Sequence, residues 1–369
     1  MTAAGRALGR CLAVLFCGVV PACLVGYLVA RAGHYPTDFT TFWRSGHAVL
    51  HGRSPYPSVG SLPAHTYPTF APFVYPPVTA VLFAPLSLLP FGVAVVVFLF
   101  VELAAVAVAL RLLDVTDWRC YGVGYGSAPL FAASALGTIT PLLFVGVAAA
   151  WRYRDGVLRA GLLVAFVVTA KLFLWPVWLW LVRTRRFRAA AVAAVASVAG
   201  LLASWATIGF AGMHDYPRLL GRVVALQGSG SYSVYALGRS LGLGAVGANT
   251  AVYLAGGAVL TLALIFTRGS RSLLAVALGV SLLLTPILWP HYLLLLFVPV
   301  ALAQRRLSLA WLVPFAAWFD CNATSSGSTV RIAVLLALAA VTLVTAERRS
   351  LSRARRPLAT AYVVAGAPR

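Results

Sequence analysis

Carboxylates are scarce in this chain, so one that lies beside other polar groups is a candidate for chemistry. The 369 residues hold eight Asp and Glu against 29 Lys and Arg. Asp38 begins the stretch DFTTFW, just after a long apolar segment. A carboxylate in this position can take a proton from a reacting hydroxyl, or it can cap the N-terminus of the helix that follows. The residue pattern alone leaves both roles open.

Three basic groups interrupt apolar runs elsewhere in the chain. Lys171 is the only lysine, His291 follows LLLTPILWP, and Arg239 ends the Gly/Ser-rich stretch 227–240. Such groups can bind a phosphate through charge-assisted hydrogen bonds. The alternatives are a lysine that snorkels, a structural histidine and a flexible connection. The Walker pattern G-x-x-x-x-G-K-[ST] is absent from the sequence, which argues against a P-loop.

The remaining carboxylates divide into three sets. We expect Asp114, Asp117, Asp155 and Glu347 to be solvated groups, because they lie in or beside arginine-bearing connections. Glu102 lies within a predicted membrane helix, where an ionisable group is a functional candidate by default, but its sequence neighbours offer no partner. Asp215 and Asp320 are expected on the same side of the membrane as Asp38.

The elements that must position these groups are membrane helices. The chain is 61% hydrophobic and 10% charged, with a mean hydropathy of +0.90, whereas soluble domains carry about 25% charged residues. The composition therefore predicts an all-α, polytopic membrane protein.

The net charge of +21 is dispersed in short arginine groups between apolar runs. Such groups are typical of topology signals, so we do not expect nucleic-acid binding. The five cysteines form no C-x-x-C pair, and neither a metal site nor a cofactor is predicted.

The apolar runs predict about twelve crossings. The first, at 11–30, is long enough to span and is interpreted as a transmembrane helix rather than a cleaved signal. The others lie near 92–112, 122–137, 141–151, 157–170, 172–182, 189–209, 245–267, 272–288, 291–303, 308–319 and 329–346.

Topology follows from the arginine groups. If they are cytoplasmic, both termini lie inside and residues 31–75 form the first outer loop. The short, proline-bounded segment 76–90 is interpreted as re-entrant or interfacial. Residues 1–346 then form one membrane domain, and the basic tail 347–369 is expected to be disordered.

Five motifs, in order, resemble a known family. DFTTFWRSGHAVLHGRSPY (38–56) and FVYPPVTAVLFAPLSLLP (73–90) resemble glycosyltransferase family 87, the bacterial polyprenyl-phosphate-sugar-dependent mannosyltransferases and arabinofuranosyltransferases of the GT-C membrane fold. The stretches 169–189, 228–242 and 283–302 are similar to later motifs of that family, and the resemblance covers residues 8–346.

The chain departs from the family pattern at three places. Leu172 follows Lys171 where proline is usual, Thr138 follows Gly137 where glutamine is usual, and Tyr292 takes the place of a second histidine after His291.

The resemblance implies roles for the candidate residues. Asp38 would be the general base of an inverting transfer, which needs no second carboxylate because a phosphate leaves readily. Lys171, Arg239 and His291 would offset the charge on the departing phosphate without a metal. The aromatic residues Trp43, Tyr56 and Tyr75 would line the sugar site or belong to the interfacial belt.

The implied partners are a polyprenyl-phosphate sugar donor, a lipid-linked glycan acceptor of the phosphatidylinositol mannoside or lipoglycan type, and membrane lipids. The expected activity is a mannosyltransferase working at the outer face of the plasma membrane. Alternatives are an arabinofuranosyltransferase of the same family, a lipid or small-molecule transporter, and an inactive membrane scaffold. The sequence lacks the matching halves that a transporter would show.

Overall fold

The computed structural model describes residues 3–31, 36–63, 71–314, 317–318 and 328–354. Within these residues the regular structure is helical, without a strand. The α-helices, in chain order, are α1 (Ala3–Val14), α2 (Val20–Arg31), α3 (Thr37–Leu50), α4 (Pro77–Phe83), α5 (Phe91–Leu112), α6 (Trp118–Tyr125), α7 (Ala128–Leu136), α8 (Thr140–Arg152), α9 (Val157–Ala170), α10 (Pro176–Arg183), α11 (Phe187–Ala206), α12 (Tyr216–Gln227), α13 (Val234–Ser240), α14 (Ala245–Phe266), α15 (Ser270–Leu284), α16 (Phe297–Ala303), α17 (Leu309–Leu312) and α18 (Thr329–Ala354).

Among the described residues, four helical stretches are long and apolar enough to cross a membrane. They are Ala7–Arg31, Phe91–Leu112, Phe187–Ala206 and Ala245–Phe266. The first joins α1 to α2 through a π-helical turn at Leu15–Val19. A bilayer core of about 30 Å needs about 20 helical residues. The lengths support a membrane-embedded chain, and several of the other predicted crossings are shorter apolar helices.

Two segments that the sequence predicts as single helices are interrupted, and their composition does not predict the interruptions. The run at 122–137 is two short helices, because Ser127 caps α7 by accepting a hydrogen bond from the Leu130 N–H at 3.4 Å. Within 308–319, α17 has only four residues. The apolar content of a run predicts that its residues are buried. It does not reveal that a serine within the run caps a new helix and so divides the run in two.

The segment 76–90 does not form a spanning helix. Its α4 has seven residues and is followed by a 3₁₀ turn at Leu86–Leu88. Both pieces pack on α3, which agrees with the re-entrant or interfacial interpretation. At the other end of the chain, α18 continues through Ala354, so residues 347–354 are helical rather than disordered, and 355–369 lie outside the described residues.

The core is built around α9, which packs against α8 and α11. Small residues allow this close approach: a Cβ at Gly161 would lie 2.6 Å from Val192 of α11, and one at Gly146 of α8 would lie 2.7 Å from Val167. Such contacts are typical of packed membrane helices. They fix the C-terminal end of α9, where Lys171 follows.

Candidate active site

Asp38 occupies the second position of α3, and it does not cap that helix. The N-cap is Pro36, without a side-chain hydrogen bond, and Asp38 makes no described hydrogen bond of its own. The side chain is partly buried. The capping role that the sequence left open is therefore not the one that this carboxylate plays.

Aromatic packing holds α3 in place. Phe42 is fully buried and stacks on Phe83 of α4 at 4.5 Å and against Tyr75 at 4.9 Å. Phe39, next to Asp38, is also fully buried and stacks on Phe98 of α5 at 5.1 Å. Because Phe39 and Phe42 lie on one face of α3 and both are packed, they fix the first turns of the helix and with them the backbone position of Asp38.

Lys171 follows the last residue of α9 and is buried, at 8% exposure. Its ammonium has no hydrogen-bond partner among the described residues. It lies instead over aromatic rings, 3.9 Å from the centroid of Tyr292, 5.1 Å from Tyr75 and 5.8 Å from Phe173. Rings attract a cation but do not replace the hydrogen bonds it loses on burial. A bound anion would supply them.

His291 precedes Tyr292 in the chain and lies in the 3₁₀ segment Pro290–Leu296. It is 1% exposed, its ring stands edge-on to Tyr292 at 4.6 Å, and neither ring nitrogen has a partner among the described residues. Lys171 is close enough to act on the His291 ring electrostatically. The two groups therefore face a shared site with unused hydrogen-bonding capacity.

Asp38 and Lys171 are electrostatic neighbours, but no described hydrogen bond or ion pair joins them. The helix α3 lies outside the four spanning stretches. Burial raises the pKa of Asp38, and the Lys171 ammonium opposes this rise. Each of the two groups therefore keeps hydrogen-bonding capacity that a substrate could use.

The aromatic candidates differ in their contacts. Tyr75 is part of the wall around Lys171. The Tyr56 hydroxyl donates to the Tyr75 carbonyl at 2.8 Å, and its ring stacks on Trp205 at 5.1 Å. The Trp43 indole donates to the Leu89 carbonyl at 3.3 Å. The described contacts of Tyr56 and Trp43 are therefore structural: they hold the backbone near Tyr75 and Leu89 in place.

Arg239 does not belong to the group of residues around Lys171. It lies exposed in α13, and its guanidinium donates to the Leu243 carbonyl at 2.9 Å. The loop before it does approach the site: Ser233 donates to the Pro286 carbonyl at 2.8 Å, and the Tyr232 N–H to the Leu288 carbonyl at 2.9 Å. The structure thus brings together Asp38, Lys171, His291 and Tyr75 and places Arg239 apart from their described contacts.

Sequence reasoning missed two members of this region. Tyr292 counted only as a departure from a family motif, yet it provides the ring closest to the ammonium. Glu102 was noted without a partner, and Asp38 is the charged neighbour that acts on it. The adjacency of Tyr292 to His291 could have flagged the first, but no sequence signal gave the neighbours of Glu102.

The other carboxylates are engaged with arginines. Asp114 pairs with Arg305 at 3.0 Å, Asp155 with Arg186 at 2.9 Å and Asp117 with Arg119 at 2.8 Å. Asp114 and Asp155 are solvated, as expected for groups in arginine-bearing connections, whereas the Asp117 side chain is only 9% exposed because it caps α6. Exposed Asp215 contacts Arg218 and His214, whereas Asp320 and the side chain of Glu347 lie outside the described part.

Across the described ranges, no group of three His, Cys, Asp or Glu is placed to hold a metal ion.

Comparison with known proteins gives a family and two relatives. The model of glycosyltransferase family 87 matches residues 73–290, more than half of the chain. A protein of Mycobacterium tuberculosis (strain CDC 1551 / Oshkosh), named polyprenol-phosphate-mannose-dependent alpha-(1-2)-phosphatidylinositol pentamannoside mannosyltransferase, is 31% identical over 299 residues, which is 74% of this chain and 65% of that relative.

A protein of the same name from Mycolicibacterium smegmatis (strain ATCC 700084 / mc(2)155) is 29% identical over 296 residues, 74% of this chain and 68% of that relative. The chain thus spans about two thirds of the length of these relatives. No solved structure matches the chain. The matched range carries Tyr75, Lys171 and Arg239, in the order in which the motifs occur, and the chain belongs to glycosyltransferase family 87.

Proposed function

We propose that this protein is an inverting glycosyltransferase that moves mannose from a polyprenyl-phosphate donor to a lipid-linked glycan acceptor. The observation that carries the proposal is an Asp38 carboxylate without a described hydrogen bond that interacts electrostatically with the buried, unpaired ammonium of Lys171, in a chain of this family. The names of both relatives support mannose as the sugar and a phosphatidylinositol-type lipid as the acceptor.

The reaction follows from the two charges. Asp38 takes the proton of the acceptor hydroxyl as its oxygen attacks the anomeric carbon. The bond between that carbon and the phosphate oxygen breaks, and polyprenyl phosphate leaves with the electron pair. Lys171 offsets the negative charge that grows on the phosphate, and His291 offers a hydrogen bond to it. Attack opposite the leaving group inverts the anomeric configuration, so one carboxylate is enough.

The membrane arrangement belongs to the same proposal. We place the site at the outer face of the plasma membrane, with both termini cytoplasmic, in a GT-C bundle of about twelve crossings. The arginine groups between the apolar helices support this topology. Paired short helices, tilted or joined end to end, would complete the crossings that single helices are too short to make. Residues 1–346 would form the membrane domain and 347–369 a cytoplasmic tail.

A transfer assay tests the activity. Purified protein is incubated with polyprenyl-phosphate [14C]mannose and phosphatidylinositol mannosides, and labelled lipid is counted after separation. We expect transfer by the wild type and almost none by Asp38→Ala. Transfer from polyprenyl-phosphate arabinofuranose instead would overturn mannose as the sugar. Absence of transfer from either donor would overturn the glycosyltransferase proposal.

A further inference from the structure

A second feature near Asp38 is a cavity that the transfer chemistry does not use. It has a volume of about 240 Å³ and lies between α2, α5 and α7, beside the start of α3. Its walls are mostly apolar, with Leu28, Phe98 and Phe131 among them, and its polar groups are Glu102, Ser134 and Arg31. Pockets for drug-sized ligands span about 300–1,000 Å³. This cavity therefore suits part of a larger molecule, such as one sugar ring.

Glu102 is the unusual member of the cavity wall. It is 1% exposed, and neither carboxyl oxygen has a hydrogen-bond partner within the described residues. The Ser134 hydroxyl and the Thr138 backbone lie near this carboxyl, but neither the carboxyl oxygens nor the Ser134 hydroxyl has a partner at hydrogen-bonding distance among the described residues. Buried polar groups are normally paired, so two adjacent orphans in a cavity wall indicate a ligand that pairs with them. Hydroxyl groups, which both donate and accept, have the matching chemistry.

Arg31 adds a cation to the same cavity. It ends α2, is exposed, and its guanidinium lies 5.4 Å from the centroid of the Tyr27 ring, which is also in the wall. A guanidinium binds phosphate oxygens well. A buried carboxyl with a hydroxyl, next to an exposed guanidinium, matches a headgroup that carries both sugar hydroxyls and a phosphate.

The cavity is also electrostatically connected to the proposed reaction site. Among the residues described, Asp38 is the charged group that acts on Glu102, and Lys171 is the charged group that acts on Asp38. Asp38 is thus an electrostatic neighbour of both groups. In a displacement with inversion, the nucleophile approaches opposite the leaving group. A donor phosphate bound at Lys171 and an acceptor bound in the Glu102 cavity would occupy separate places, as such a displacement requires.

We propose that this cavity binds the headgroup of the acceptor lipid, with Glu102 and Ser134 pairing with its sugar hydroxyls and Arg31 with its phosphate. The inference rests on the proposed function, because it assigns one substrate of that reaction to a place. Glu102 acts in binding and takes no part in bond breaking.

Kinetics with two acceptors tests the assignment. The probes are a phosphatidylinositol mannoside, which carries a phosphate, and n-octyl α-D-mannopyranoside, which does not. We expect Glu102→Leu to raise the KM for both acceptors by about threefold to tenfold, as loss of a buried hydrogen bond does, and to leave the donor KM unchanged. Arg31→Met should raise the KM for the phosphate-bearing acceptor alone. Val101→Leu, on the exposed side of the same helix, is the matched control and should change neither.

A binding measurement keeps this test separate from the activity. n-Octyl mannoside should raise the melting temperature of the wild type in detergent, and the shift should vanish in Glu102→Leu and shrink in the near-isosteric Ser134→Ala. The second variant serves if the first does not fold. If the wild type uses neither acceptor, the proposed function fails. The melting shift still shows whether the cavity binds the mannoside. An increase in donor KM, or unchanged acceptor KM and melting shifts, would overturn the assignment.

Discussion

Two aspartates of this chain lie in opposite electrostatic settings. Asp117 caps α6 and accepts hydrogen bonds from the Arg119 backbone and guanidinium and from the Leu307 N–H at 3.0 Å. These hydrogen bonds lower the pKa of Asp117 to about 2, and the bond from the Arg119 side chain has the largest effect. Asp38 has no described hydrogen bond, and burial raises its pKa against the opposing effect of Lys171.

The difference is the one expected between a structural carboxylate and the general base that we propose. Donors that surround Asp117 stabilise its anion and make it a poor base. Asp38 keeps its basicity because nothing within the described contacts occupies its oxygens, and a raised pKa brings it closer to the range where general bases work. An unpaired carboxylate beside an unpaired cation is the arrangement expected of a site in which the substrate supplies the missing partners.

Replacing each aspartate by its amide gives the largest contrast. Asp38→Asn should lower kcat by about 10²–10⁴, the usual contribution of a general base, while the protein stays folded. Asp117→Asn is the matched control and should retain near wild-type kcat. Both are measured by mannosyl transfer on protein of verified melting behaviour. A similar loss of kcat in the two variants would show that pairing does not distinguish their roles.

Lys171→Met tests the cation that faces Asp38. Methionine fills a similar volume without the charge, so transition-state charge on the phosphate loses its partner. We expect kcat to fall by about 10²–10³, as for loss of one electrostatic stabiliser. The melting temperature should be unchanged or higher, because the variant no longer buries an unpaired ammonium. Lower stability with unchanged kcat would make Lys171 structural.

The pH profile sharpens the comparison further. Because the base must be ionised, kcat/KM should fall about tenfold per pH unit once the pH drops below the pKa of Asp38. Burial raises that pKa, so the acid limb should begin above about pH 4, where an ordinary aspartate titrates. Initial rates of the wild type, at pH values where the melting temperature is constant, provide the test. A flat profile down to pH 4 would contradict the role of Asp38.

Much of the fold could be predicted because helix length follows from apolar runs. The segment predicted at 157–170 is α9 with the same bounds, and 245–267 ends one residue beyond α14. The break at Ser127 and the four-residue α17 could not be found in this way. A capping hydroxyl and a short irregular stretch change little in the composition of a window.

The site was only partly predictable. Asp38 and Lys171 stood out because each is a rare residue in an apolar context. The contact of Tyr292 with the ammonium depends on how α9 meets the 290–296 segment, which spacing along one chain does not give. Likewise, periodicity places Glu102 on one face of α5, but only the packing of α7 reveals Ser134 beside it.

Asp117 should affect stability where Asp38 affects rate. Asp117→Asn removes charge-assisted hydrogen bonds that are partly screened by solvent, so we expect a loss of about 1–2 kcal/mol in the free energy of unfolding at pH 7. The folded pKa lies below the unfolded value, so this stabilisation is present above about pH 4 and fades as the pH falls toward 2. Denaturation in detergent at pH 7 and at lower pH measures both. An unchanged stability at pH 7 would show that solvent replaces these bonds.

Substitution of Arg239 should have the smallest effect. It tests whether Arg239 belongs with Lys171 and His291 to the cations that stabilise the leaving phosphate. The sequence places it with Lys171 and His291, whereas the structure leaves it exposed and bonded to the Leu243 carbonyl. Exposed substitutions change free energies by about 0.5 kcal/mol, so Arg239→Met should alter kcat and the donor KM by less than about threefold. Transfer kinetics beside Lys171→Met measure this directly. If the two variants lose activity alike, the α13 loop must close over the donor phosphate during the reaction, and the group that stabilises the leaving phosphate would include Arg239 as well as Lys171 and His291.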